Sequence, residues 1–140
     1  MDLLNETVFT REPTPLAVLR EPLLAHNVAL FARWCREHGV LAAPHAKTHM
    51  ARALVDRQLA AGAWGMTVAT VAQATELAAW DVERLIVASE VVDPVGLDRL
   101  VAIARDRWLA LFVDSVAGVE AAAAAVFDAG GRTGGLGENA

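Results

Sequence analysis

Twelve of the 140 residues are basic, and Lys47 is the one lysine among eleven arginines. The two residue types differ in chemistry. A guanidinium keeps its proton under any condition a folded protein survives, whereas an amine can lose it and attack a carbonyl carbon. Lys47 stands in the run Pro44-His45-Ala46-Lys47-Thr48-His49, with an imidazole two residues away on either side. A lysine so placed can clamp a phosphate, act as a general base or serve as a Schiff-base nucleophile. The competing reading is a plain solvated lysine in an arginine-biased chain. His45 and His49 could pair on a metal, but no third ligand lies near them in sequence. Protein zinc sites use three or four ligands, so no metal site is expected here.

The elements that position this run follow from hydrophobic periodicity. Leu24, Val28, Phe31, Ala32 and Cys35 recur at three- and four-residue steps, which predicts a helix over 21–38. Pro22 is acceptable in its first turn and Gly39 is its stop. Val40 to Ala43 is a short apolar strand that ends at the lysine run. Further helices are expected over 51–61, 73–80, 97–107 and 115–129, with strands over 63–68, 85–88 and 109–113. Short apolar strands alternating with helices are the pattern of βαβ units on a parallel sheet. Strands apolar throughout fit a sheet covered on both faces. The fold class is therefore α/β.

The first strand-to-helix turn carries the lysine run in place of a G-x-G-x-x-G fingerprint. In a parallel barrel the polar residues just past the strands' carboxyl ends form the active face. Here those are Lys47, Thr70, Ser89 with Glu90, and Asp114, four successive deliveries to one rim. That pattern favours a barrel over an open sheet. A closed (β/α)8 barrel takes at least about 200 residues, so four strands are half of one and the chain reads as truncated. Residues 1–13 read as a ragged terminus and 14–129 as the barrel half. The glycine-rich 130–140 read as a disordered tail, since no helix follows to make them a phosphate loop.

Composition narrows the function classes. With 55% hydrophobic and 21% charged residues the chain can bury a core, and a net charge of -5 argues against nucleic acid as partner. One cysteine, Cys35, makes no internal disulfide framework, and its helical apolar spacing assigns it a structural place. The longest apolar run, Ala121 to Phe127, is far short of the roughly 18 residues a membrane span needs. A soluble cytoplasmic protein with a small-molecule partner is the expectation. Thr70, Gln73, Asp114 and Ser115 suit helix capping at least as well as ligand contact. His26 and His38 read as surface or capping residues, and the four tryptophans as packing, with Trp64 beside Gly65 facing a barrel interior.

Four segments carry a family resemblance. They are Thr14-Pro15-Leu16-Ala17-Val18-Leu19, Ala43-Pro44-His45-Ala46-Lys47-Thr48, Ala61 through Thr70 (reading A-G-A-W-G-M-T-V-A-T), and Val113-Asp114-Ser115. In this order, over about residues 14 to 120, the chain resembles the D-serine dehydratase and D-threonine aldolase group. These are pyridoxal-phosphate enzymes on the barrel of alanine racemase type. The P-H-x-K-T-x-M pattern, with Met50, is similar to the cryptic D-serine deaminase-like branch; His49 stands where that branch more often has threonine.

The resemblance implies that Lys47 forms the internal aldimine with pyridoxal 5'-phosphate and that His45 lines the cofactor pocket; Thr70, by its place at a strand end, is a further candidate for cofactor contact. It implies a parallel (β/α)8 barrel cut to its first four strands, with residues 14–20 belonging to a separate β-domain. The implied activity is conversion of D-serine to pyruvate and ammonia. Retro-aldol cleavage of D-threonine type and non-catalytic cofactor binding are the alternatives. An intact relative is expected to be a homodimer. The phosphate-holding loops, and any metal ligands, are expected on later strands, so the 140-residue chain is expected to be inactive alone.

Overall fold

The computed structural model describes Pro13, Pro15 and residues 18–130. Of the tail expected over 130–140 all but Gly130, of the ragged 1–13 all but Pro13, and of the strand expected over 14–20 residues 14, 16 and 17 lie outside the described residues; the described residues 18–20 form no strand.

Helix α1, Glu21–His38, begins with proline in its first turn and ends at Gly39, whose φ of 63° is the left-handed conformation that closes helices. Its apolar stripe is thinly covered: Cys35 is buried, while Leu23, Leu30, Phe31 and Trp34 are exposed. Trp34 stacks between Phe31 and His38, and His38 Nδ1 donates to the Trp34 carbonyl at 2.8 Å.

The sheet has three parallel strands in the order β1 (Met66–Val68), β2 (Arg84–Val87) and β3 (Trp108–Leu111). Met66 pairs with Leu85 and Leu85 with Leu109; Val68 pairs with Val87 and Val87 with Leu111. Because strand side chains alternate, these residues share one face. Met66, Val68, Leu85 and Val87 are fully buried there among Val55, Ala74, Leu77 and Leu100. Those four come from the covering helices α2 (Arg52–Ala60), α3 (Val71–Ala79) and α4 (Pro94–Ala104).

The count of four strands is corrected in one place. Residues 40–45 run extended beside β1 but form a single parallel bridge, His45 to Thr67, rather than a ladder. Trp64 N–H donates to the Ala42 carbonyl and Thr67 N–H to the Pro44 carbonyl, each at 2.8 Å. Pro44 has no N–H to return, and a proline inside a ladder removes one of its donors. The buried Thr67 hydroxyl adds a side-chain tie, donating to the Ala43 carbonyl at 2.8 Å.

Helix starts sit earlier than periodicity placed them, at Val71 and Pro94. Thr70 Oγ1 accepts from Gln73 N–H, Asp93 from Gly96 N–H, and Ser115 from Gly118 N–H. Each satisfies one of the amides that a helix start leaves without an intrahelical partner. The last helix, α5 (Val116–Asp128), buries no residue and exposes Val116, Val119 and Phe127. Trp64 and Trp108 meet edge-on at 4.6 Å with the Arg84 guanidinium over Trp64, so this pair packs at the amino-end edge of the sheet. Trp108 is still half exposed there. No described helix is long and apolar enough to cross a membrane.

Candidate functional site

Parallel strands bring all their carboxyl ends to one edge. Lys47, Thr70, Ser89 with Glu90, and Asp114 therefore lie along a single rim. The inter-strand bonds run up to that rim: Ala88 N–H donates to the Val68 carbonyl at 2.8 Å and Phe112 N–H to the Val87 carbonyl at 3.0 Å. The Ser89 hydroxyl donates to the Ala69 carbonyl. Asp114 follows β3, so the strand order puts it at the far end of the rim from Lys47.

Lys47 rides on a one-turn 3-10 helix, Ala46–Thr48. Ala46 is fully buried and pins the turn to the core, while Lys47 itself is half-buried. The Ala46 carbonyl accepts from both His49 N–H (3.1 Å) and Met50 N–H (2.9 Å). Met50 takes a φ of 42°, a conformation uncommon for a residue with a side chain. It turns the chain from the lysine directly toward α2, and its side chain packs on the core. Among the described residues no carboxylate pairs with the Lys47 amine.

The neighbouring candidates divide. His45 is exposed at the bridge preceding the turn. His49 is occupied locally, its Nδ1 accepting from Ala51 N–H at 3.0 Å at the start of α2. Thr70 caps α3 through its oxygen (3.2 Å from Gln73 N), which leaves its hydroxyl hydrogen free to donate. Among the described residues no group of three or more His, Cys, Asp or Glu is placed to hold a metal. A cavity of about 310 Å³ lies elsewhere, between α1 and the end of α2, lined by Leu24, Val28, Phe31 and Cys35 among others. It includes none of the rim residues.

Sequence reasoning treated Gln73 as a capping residue and did not see its second contact. Gln73 Oε1 accepts from Ala69 N–H at 2.9 Å, and its Nε2 donates to the Lys47 carbonyl at 3.5 Å. The T-x-x-Q spacing of Thr70 and Gln73 is a capping-box signal. Nothing in that spacing points to a partner 26 residues away.

No protein-family model matches the chain. It is 30% identical over 122 residues to a D-threonine aldolase of Arthrobacter sp., covering 87% of this chain and 32% of that protein. The crystal structure of D-threonine aldolase from Filomicrobium marinum superposes with a TM-score of 0.81 at 27% identity, over 85% of this chain and 32% of that one. D-threo-3-hydroxyaspartate dehydratase from Delftia sp. HT23 superposes with a TM-score of 0.78 at 31% identity, over 86% of this chain and 32% of that one. The chain spans about a third of the length of each.

Proposed function

We propose that this chain, homologous to D-threonine aldolase and D-threo-3-hydroxyaspartate dehydratase, is the lysine-bearing part of a pyridoxal-phosphate-dependent lyase. Its substrates are D-amino acids with a hydroxyl on the β-carbon. The observation that carries the reading is Lys47: the one lysine, half-buried on a pinned turn at the carboxyl-end rim, with no carboxylate paired to it among the described residues. An amine that no carboxylate holds as an ammonium ion fits a cofactor aldehyde. When bound, pyridoxal phosphate supplies an electron sink for the pair left at the substrate's α-carbon.

The chain's own residues then have these roles. Lys47 would hold the cofactor covalently, and its amine would take the proton from the α-carbon in an elimination or deliver one to the α-carbon after α–β cleavage. His45, exposed one residue before the turn, would stand beside the cofactor held on Lys47. Thr70 offers a hydroxyl hydrogen from the adjoining strand end. The similarity to a dehydratase supports loss of the α-proton and the β-hydroxyl, which leave together as water. On D-serine this releases 2-aminoacrylate, which hydrolyses to pyruvate and ammonia. The similarity to D-threonine aldolases supports the second outcome equally, cleavage of the α–β bond to give glycine and an aldehyde.

Borohydride reduction of the chain with pyridoxal phosphate, followed by peptide mapping, tests the reading. A phosphopyridoxyl group on Lys47, absent in Lys47→Ala, is expected; labelling confined to the N-terminal amine overturns it. Product analysis with D-serine and D-threonine then separates pyruvate from glycine and acetaldehyde.

A further inference from the structure

Two turns of the rim share one side chain. Gln73 is the third residue of α3, where a capping-box side chain would return to the N–H of the capping residue. It reaches one residue further back, to Ala69 N–H at 2.9 Å, and that reach brings its amide nitrogen within 3.5 Å of the Lys47 carbonyl. On its other side Ala69 is held through its carbonyl by the Ser89 hydroxyl. The strand ends at 47, 69 and 89 are thereby tied in series. Gln73 is half-buried, and its own backbone N–H is fixed on Thr70. Its carboxamide is therefore a stationary reference against which the lysine turn can be set.

We propose that Gln73 is a positioning residue for Lys47, its carboxamide fixing the orientation of the peptide from which the amine is presented. The bonds from His49 and Met50 to the Ala46 carbonyl are internal to the turn, and the sheet holds its entry through the His45–Thr67 bridge and buried Ala46; the Gln73 carboxamide is the group that reaches the Lys47 peptide itself. The inference rests on the reading of Lys47 as the cofactor-binding amine, and its test can fail separately from that reading.

Gln73→Glu keeps an oxygen for Ala69 N–H but has no N–H to donate to Lys47. Gln73→Met has similar length and neither group. Both are compared with the parent 140-residue chain by amide hydrogen exchange, with no cofactor added. In Gln73→Glu, exchange across residues 45–51 is expected to quicken by about 2- to 10-fold, the range of one neutral hydrogen bond, with residues 69–76 unchanged. In Gln73→Met both segments quicken. Half-saturation of Lys47 labelling by pyridoxal phosphate shifts upward by a similar factor in Gln73→Glu. Unchanged exchange over 45–51 in Gln73→Glu overturns the proposal. Absence of Lys47 labelling in the parent chain overturns the cofactor reading instead, and the exchange comparison still decides the role of Gln73.

Discussion

Gly65 is a position where the smallest substitution should do large damage, because backbone stands against it. A methyl group there would lie 2.7 Å from the Arg84 carbonyl oxygen and 2.9 Å from the Arg84 Cβ. Ordinary contact begins at 3.4 Å, so the deficit exceeds half an ångström. The obstructing atoms belong to the first residue of β2, a backbone that cannot swing aside. Gly65→Ala must therefore push β1 and β2 apart at their amino ends. Overpacking of this kind costs about 1–3 kcal/mol. Weakening one inter-strand bond adds about 0.5–1.5 kcal/mol. Together these come to roughly 2–4 kcal/mol, or a fall in Tm of roughly 8–16 °C at about 4 °C per kcal/mol for a domain of this size. The lysine segment feels the shift, because it hangs from Trp64 N–H, the residue before Gly65, and from Thr67 N–H. Thermal unfolding followed by far-UV circular dichroism measures it, with Gly39→Asn as the control. Gly39 has a φ of 63° and open space around it, a conformation asparagine tolerates, so the control should lose less than about 1 kcal/mol. A Gly65→Ala protein that melts within about 2 °C of the parent, or above the control, refutes the steric argument.

Two further outcomes follow from the core and the caps. Leu77, fully buried against the sheet, should cost about 2–5 kcal/mol as Leu77→Ala, read as a lower urea midpoint with an unchanged m-value. Asp93→Ala removes the 2.6 Å acceptor of Gly96 N–H and should cost about 1 kcal/mol, and Asp93→Asn should recover most of it in the same denaturation series.

Much of this was legible in the sequence because it is set by near neighbours. Helix α1 forms over 21–38 as its spacing predicts, since proline entry and glycine exit are local backbone effects. Thr70 and Ser115 cap as expected, because a hydroxyl reaches an amide three residues on. Asp93-Pro94 is an equally local start signal that periodicity alone passed over, since Leu97 is the first residue of that helix with a clear apolar rhythm. Lys47 stood out by composition, and the alternation of elements was enough to expect it beside the strands' carboxyl ends, although the segment leading to it makes a single bridge and not a strand.

What remained was decided in three dimensions. Apolar character marked 40–43 as a strand, yet whether it joins a ladder depends on which donors face β1, and Pro44 supplies none. The Thr67 hydroxyl reads as one more polar residue in a strand until the fold brings the Ala43 carbonyl to it across 24 positions. Gln73 reads as a cap until the Lys47 carbonyl arrives across 26. Side-chain type and spacing determine which groups must find partners within a turn of chain. Which distant peptide satisfies a buried or bridging polar group is settled when parallel strands align their carboxyl ends, and that alignment turned a lone lysine and a capping glutamine into neighbours.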